Sequence, residues 1–211
     1  MNTSPSVRIT LLPVDQELAG WFADDVGAET RGGNLVAEFM DEQFRIESFP
    51  SKEDMPELLD TDMVLGLIRF VDVLSLQHME ELLRSAPQGL GLSAILVYRN
   101  ENEQDFKMSC PYCGQKLWVR DADKDKRGRC PHCRKGFTLP EQEKHVSSVL
   151  RLKDRVPVFR VIRNDPASLG APLRKVLEGK GKSGPLENLD TEGAFMNNQT
   201  MNAHVEDPEE G

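Results

Sequence analysis

The sequence lacks the scattered cysteines of a secreted disulfide domain: it has four in 211 residues, all from Cys110 to Cys133. Grouped as two C-x-x-C pairs, they imply a reducing compartment and a metal instead. Also missing is any apolar run near the roughly 20 residues that cross a bilayer. The opening MNTSPSVRITLLP has no basic region ahead of a long apolar segment. The expectation is a cytoplasmic protein without membrane contact. No G-x-x-x-x-G-K-[ST] loop follows the first apolar run and no N-K-x-D occurs, so the phosphate cradle and guanine reader of a GTPase are lacking. GAETRGGN, residues 27 to 34, has glycines but lacks the lysine and hydroxyl at the required spacing. No nucleophile, base and orienter can be grouped in one pocket, which points to a protein that is not an enzyme.

What is present is ordinary in amount and uneven in distribution. Hydrophobic residues make up 38% and charged residues 29%, the balance of a soluble globular chain. The formal charge of -9 argues against a protein that coats nucleic acid, yet it hides a partition. Residues 1–106 carry 7 Lys/Arg against 20 Asp/Glu, residues 107–139 carry 9 against 3, and residues 140–211 carry 10 against 12. The positive charge therefore sits on the cysteine segment.

Along the chain, strand and helix signals alternate. VRITLL, residues 7 to 12, reads as a buried strand, and DQELAGWFADDVG as a helix with Asp15 as N-cap and Gly27 as its stop. LVAEFMDEQFRIESF, residues 35 to 49, fits a hairpin or one strand after a loop. A capping box at Ser51 and Asp54 predicts a short helix before Asp60. DMVLGLIRFVDV, residues 62 to 73, has the continuous apolar character of a strand covered on both faces. SLQHMEELLRSAP reads as a helix, LSAILVYR as another buried strand, VPVFRVIRND as a strand, and ASLGAPLRKVLEG as a helix capped by Gly179. EQEKHVSSVLRLKDR, residues 141 to 155, fits either a connecting helix or an extended return. Such alternation predicts an α/β body with a largely parallel sheet. The body is split, with a first part over 1–106, an inserted metal module over 107–139 and a final part over 140–179. The remainder, 180–211, is rich in Gly, Asn and acidic residues and is expected to be disordered, with Phe195 and Met196 as a candidate binding segment.

Sixteen residues separate Cys110-x-x-Cys113 from Cys130-x-x-Cys133, within the spacing of four-cysteine zinc sites. Each pair can wrap one edge of an ion, and four thiolates leave no position for water or substrate, so the expectation is one structural Zn2+ per chain. Gly114 permits a positive φ at the first turn, whereas Arg134 and Lys135 follow the second pair. Rubredoxin-like iron and a thioredoxin-like dithiol are the rival readings. His132 and His145 are expected to be ordinary surface histidines. The stretch resembles the bacterial zinc-ribbon family with paired CPxC knuckles, over about 30 residues: Cys110-Pro111-Tyr112-Cys113-Gly114, Val119, Cys130-Pro131-His132-Cys133 and Phe137. Lys124, Lys126, Arg127, Arg129, Arg134 and Lys135 are candidate anion or nucleic-acid contacts, with Trp118 or Tyr112 available for stacking. The alternatives are that these cations moderate the thiolate charge or dock the ribbon on the acidic body.

Over about 140 residues the body also resembles a bacterial response-regulator receiver, through ITLLPVDQE, DMVLGLIR and VIRNDP. That resemblance implies a receiver/flavodoxin-like fold with Asp15 and Glu17 at the metal-binding acids. The phosphoacceptor position falls on Leu67, the usual lysine is replaced by Arg163-Asn164-Asp165, and the hydroxyl position is Tyr98 or Arg99. Asp15 and Asp72 then serve as a helix cap and a strand-end turn residue. A degenerate GTPase-like order of elements, with 35–49 as its hairpin, fits the same pattern. The expected function is a non-catalytic regulatory or adaptor protein, a pseudo-receiver that binds a protein partner. The alternatives are a nucleic-acid-associated transcriptional regulator and a degenerate signalling enzyme.

Overall fold

Asp15, extended, accepts a hydrogen bond from the Leu18 amide at 3.1 Å, and this cap converts β1 (Val7–Pro13) into α1 (Gln16–Asp25). The computed structural model describes residues 7–32, 34–49, 55, 61–87, 91–103, 105–152 and 156–179. Gly27, at φ +65°, lets the chain leave α1 for β2 (Glu29–Arg31). β3 (Asn34–Phe39) and β4 (Glu42–Ser48) then form a hairpin whose two turn residues, Met40 and Asp41, both have positive φ. The 35–49 segment is thus a hairpin. The helix expected after Ser51 lies outside the described residues.

β5 (Met63–Ile68) is buried at all six positions, as a strand covered on both faces must be. Asp72 caps α2 (Val73–Ser85) by accepting from the Ser75 amide at 2.9 Å, and β6 (Ala94–Arg99) follows. Four short strands come next: β7 (Phe106–Ser109), β8 (Lys116–Val119), β9 (Arg127–Arg129) and β10 (Gly136–Thr138). α3 (Gln142–Val149) makes residues 141 to 155 begin as a helix. β11 (Val158–Ile162) and α4 (Pro166–Glu178) close the described fold. Gly179 ends α4 at φ -80°, a right-handed conformation that does not use glycine's freedom. The segment expected to be disordered, 180–211, lies outside the described residues.

The chain is mixed α/β, with a largely parallel seven-stranded sheet in the order β11-β6-β5-β1-β4-β3-β2 and four α-helices among the described residues. β1 pairs in parallel with both β4 and β5, so the sheet grows outward from it in two directions. The antiparallel β3 and β2 extend the β4 side. Among the described residues no helix is long and apolar enough to cross a membrane.

Strand alternation divides the core in two. On one face Ile9, Leu11, Leu65, Leu67 and Leu96 meet Leu18 and Phe22 of α1 and Leu169 and Leu173 of α4. On the other, Leu12, Val64, Ile68, Ile95 and Val97 meet Leu76 and Met79 of α2, Val146 of α3, and Phe106, Met108 and Val119 of the cysteine segment. Gly66 makes this second layer fit closely, since a Cβ there would stand 2.5 Å from Ile95 Cδ1 and 3.1 Å from Met79 Sδ.

Beneath the first face lies a buried polar pair. Trp21 is covered by the Arg69 and Arg163 guanidinium groups, 4.5 and 4.2 Å from its ring centre. Beside it Asp25 Oδ1 accepts from the Asn164 amide at 3.0 Å. Asp25 Oδ2 and the fully buried Tyr98 hydroxyl interact but fall short of well-aligned hydrogen-bond geometry. Burial pushes the Asp25 carboxyl above its ordinary 3.8, against the lowering pull of the Asn164 amide and the Tyr98 hydroxyl. An acid raised on folding holds its proton more tightly in the folded state. Its stability contribution is therefore full below pH 3.8 and is lost as pH rises through the folded value. Asp25→Asn should remove that loss: its urea midpoint relative to the wild type rises between pH 3.8 and neutrality. A wild type that gains on the variant over that range would show the charge to be net stabilised.

Candidate metal centre

Each cysteine pair sits at the turn of a two-stranded hairpin, β7–β8 for the first and β9–β10 for the second. The two turns repeat one design. The Gly114 amide donates to the Cys110 carbonyl at 3.0 Å and the Cys110 amide to the Gln115 carbonyl at 2.8 Å. The Arg134 amide donates to the Cys130 carbonyl at 2.9 Å and the Cys130 amide to the Lys135 carbonyl at 3.0 Å. The left-handed residue is Gly114 at φ +72° in one and Arg134 at φ +61° in the other. A residue with a Cβ in that conformation costs about 1–2 kcal/mol, so the second knuckle carries strain that the first does not.

The turns bring the four sulfurs together. Cys110 Sγ lies 3.8 Å from Cys133 Sγ and Cys113 Sγ 3.7 Å from Cys130 Sγ, and the four ligand atoms all fall within 4.8 Å of one another. Four sulfurs placed about 2.3 Å from a central ion form a tetrahedron with edges of about 3.8 Å. The closest pairs match that edge and are far longer than a disulfide of about 2.05 Å. The cluster fits a metal ion held by four cysteines. Cys130 is drawn down to about 6, first by the Cys133 amide. The Gln115 amide pulls Cys113 downward, yet burial and hydrogen bonds with Cys133, Cys110 and Cys130 push it up to about 12.

One face of this double hairpin is fixed to the body by apolar contact. Phe106, Met108 and Val119 are buried against α2 and α3, and the Lys107 amide donates to the Val71 carbonyl at 2.9 Å. His145 stacks on Phe106 with ring centres 5.6 Å apart, and burial lowers its pKa below 6.5. It is not the surface histidine expected, because amphipathic α3 turns it inward. His132 is exposed.

Ion pairs of both polarities cross the junction: Lys124 of the ribbon lies against Glu141 of the body, as the docking alternative expects, and a second pair is reversed. In the second the cation belongs to the body and the acid to the ribbon: Arg160 reaches Asp121 at 2.8 Å and Glu143 of α3 at 2.6 Å. Of the six cations singled out in the sequence, Lys124 approaches Glu141 at 3.8 Å and Lys126 pairs with Asp123 inside the ribbon at 3.0 Å. Lys135 lies over the Tyr112 ring at 5.2 Å. Arg127, Arg129 and Arg134 are exposed. Lys107 and Lys116, absent from that set, flank the exposed Trp118, and the Lys107 Nζ stands 4.6 Å from its ring centre. The strand alternation Phe-Lys-Met-Ser and Lys-Leu-Trp-Val was the signal that could have found them.

The acids suggested by the receiver resemblance have other work. Asp15 and Asp72 cap α1 and α2, Glu17 pairs with Arg69 at 3.0 Å, and Leu67 is fully buried in β5.

No family model matches the chain, and no curated protein matches it. Among solved structures, an integron cassette protein from the mobile metagenome of V. cholerae is similar over 56% of this chain and 95% of its own, at 15% identity and a TM-score of 0.19. A likeness that low carries no inference about fold or activity.

Two substitutions separate strain from docking. Arg134→Gly relieves the left-handed residue and should raise the melting temperature without altering metal content. Phe106→Ala should cost about 3 kcal/mol or more in urea unfolding while the cysteine cluster still loads metal. Metal loss in Phe106→Ala would mean that the body, not the ion, organises the knuckles.

Proposed function

We propose that the chain is a non-catalytic regulatory binding protein in which a structural zinc ribbon, anchored on an α/β body, faces a macromolecular partner. The observation that carries this reading is the cluster of four cysteine sulfurs within 4.8 Å of one another: with four thiolates as ligands, a bound ion has no open position for water or substrate. Zinc is favoured over rubredoxin-like iron by the sixteen-residue separation of the pairs and by the exposure of Tyr112 and Trp118, which leaves no aromatic shell over the sulfurs.

The body reads as a receiver-like or degenerate GTPase-like scaffold. Its parallel strands run β11-β6-β5-β1-β4, which corresponds to the doubly wound order 2-1-3-4-5. The antiparallel β3 beside β4 adds the hairpin that the GTPase-like reading places at 35–49. A leucine at the phosphoacceptor position gives this body no phosphotransfer.

For the partner, a protein is the first reading. A groove of about 350 Å3 between α2 and α3 has apolar walls at Val73, Leu76 and the exposed Val149, with Glu80, Ser109 and His145 among its polar groups. Leu74, on the same helix as Val73, is also exposed. Nucleic acid is the second reading, favoured because the junction between ribbon and body leaves Arg127 and Arg129 facing solvent.

Metal analysis of the purified chain should return about one zinc per molecule, and Cys→Ser at any of the four positions should abolish it. Chelation should lower the melting temperature of the whole chain, because the ribbon forms part of the second core layer. Full zinc content in Cys130→Ser would overturn the four-thiolate reading.

A further inference from the structure

The outer face of β7–β8 sets an exposed aromatic ring among polar side chains. Alternation buries Phe106, Met108 and Val119 and turns Lys107, Ser109, Lys116 and Trp118 outward. Lys107 faces Trp118 across the hairpin, and Ser109 faces Lys116. Trp118 is 70% exposed, an unusual position for a side chain of that size, and its only ring contact among the described residues is the Lys107 ammonium at 4.6 Å. The Lys107 ammonium lies over the ring, and Lys116 stands two positions before Trp118 on the same strand.

The surrounding charge narrows what such a face can hold. Protein interfaces bury aromatic anchors among apolar neighbours and exclude lysine from their centre, whereas here the neighbours are two lysines and a serine. Residues 107–139 carry 9 basic and 3 acidic side chains, while residues 1–106 carry 7 and 20. A polyanion is therefore attracted to the ribbon and repelled by the body. An exposed ring with cations near it accepts a planar group flanked by negative charges. In a duplex the bases are stacked on one another and out of its reach, and in a single strand they are not.

We infer that this face binds single-stranded nucleic acid without base specificity, Trp118 stacking on one base while Lys107 and Lys116 contact the adjoining phosphates. The inference rests on the nucleic-acid reading above and makes it specific.

The test uses the zinc-loaded full chain with a labelled thymidine oligonucleotide of about 12 residues, a duplex of the same length and a polyglutamate. The single strand should bind and quench tryptophan emission. That signal comes from Trp118, since Trp21, the other of two tryptophans, is buried. Two contacted phosphates give a salt slope near -1.4, about a sevenfold loss of affinity between about 50 and 200 mM salt. Trp118→Ala should weaken binding about tenfold at an unchanged slope, and Trp118→Phe should keep most of it. Lys107→Ala with Lys116→Ala should flatten the salt dependence. Equal affinity for the duplex, or no effect of Trp118→Ala, overturns the stacking face while the nucleic-acid reading stands. Binding to neither strand form at low salt removes both. Polyglutamate bound as tightly, with the same dependence on Trp118, would assign the face to an acidic protein and overturn the inference.

Discussion

Two hairpins that share no backbone ladder are held together at four sulfur atoms. β7–β8 and β9–β10 are separate two-stranded sheets, and an isolated hairpin is marginal in water. A cation at the centre of the cysteines would turn mutual thiolate repulsion into attraction and fix the two turns against each other. The short sulfur separations, the matching amide patterns of both turns and the left-handed Arg134 all follow from meeting that one geometry.

The consequence reaches the sheet. Val64, Ile68, Ile95 and Val97 lie on a face that α2 covers together with α3 and the ribbon, through Phe106, Met108 and Val119. An insertion between β6 and β11 thus supplies part of the body's own core. Arg160, on β11, completes the junction by holding Asp121 and Glu143. The inner face of the ribbon is spent on this packing, which leaves several of its cations and the Tyr112 and Trp118 rings exposed.

Much of the body was legible in the sequence because burial writes a pattern. The unbroken apolar run of β5 and the capping Asp15 place their elements without help from tertiary contacts, whereas Asp72, read as a strand-end turn residue, caps α2. β2 was not legible: Glu29, Thr30 and Arg31 are all exposed, so no alternation marks a strand that exists only by pairing with β3. The cysteines were legible as ligands from spacing alone. The second knuckle's strain was not, since nothing in the sequence shows that Arg134 must adopt the conformation of Gly114. Nor could charge counts predict the junction. They suggested ribbon cations on body acids, of which Lys124 with Glu141 is one, whereas packing added Phe106 and Met108 and an ion pair of reversed polarity. His145 was misplaced for the same reason, because helical amphipathicity, not its titratable ring, decides that it packs on Phe106.

X-ray absorption at the metal edge, on protein purified without added ions, examines the central claim most directly. The account predicts a zinc edge with a single shell of four sulfurs at about 2.3 Å. A shell containing nitrogen or oxygen ligands, or the absence of any metal edge, would contradict it.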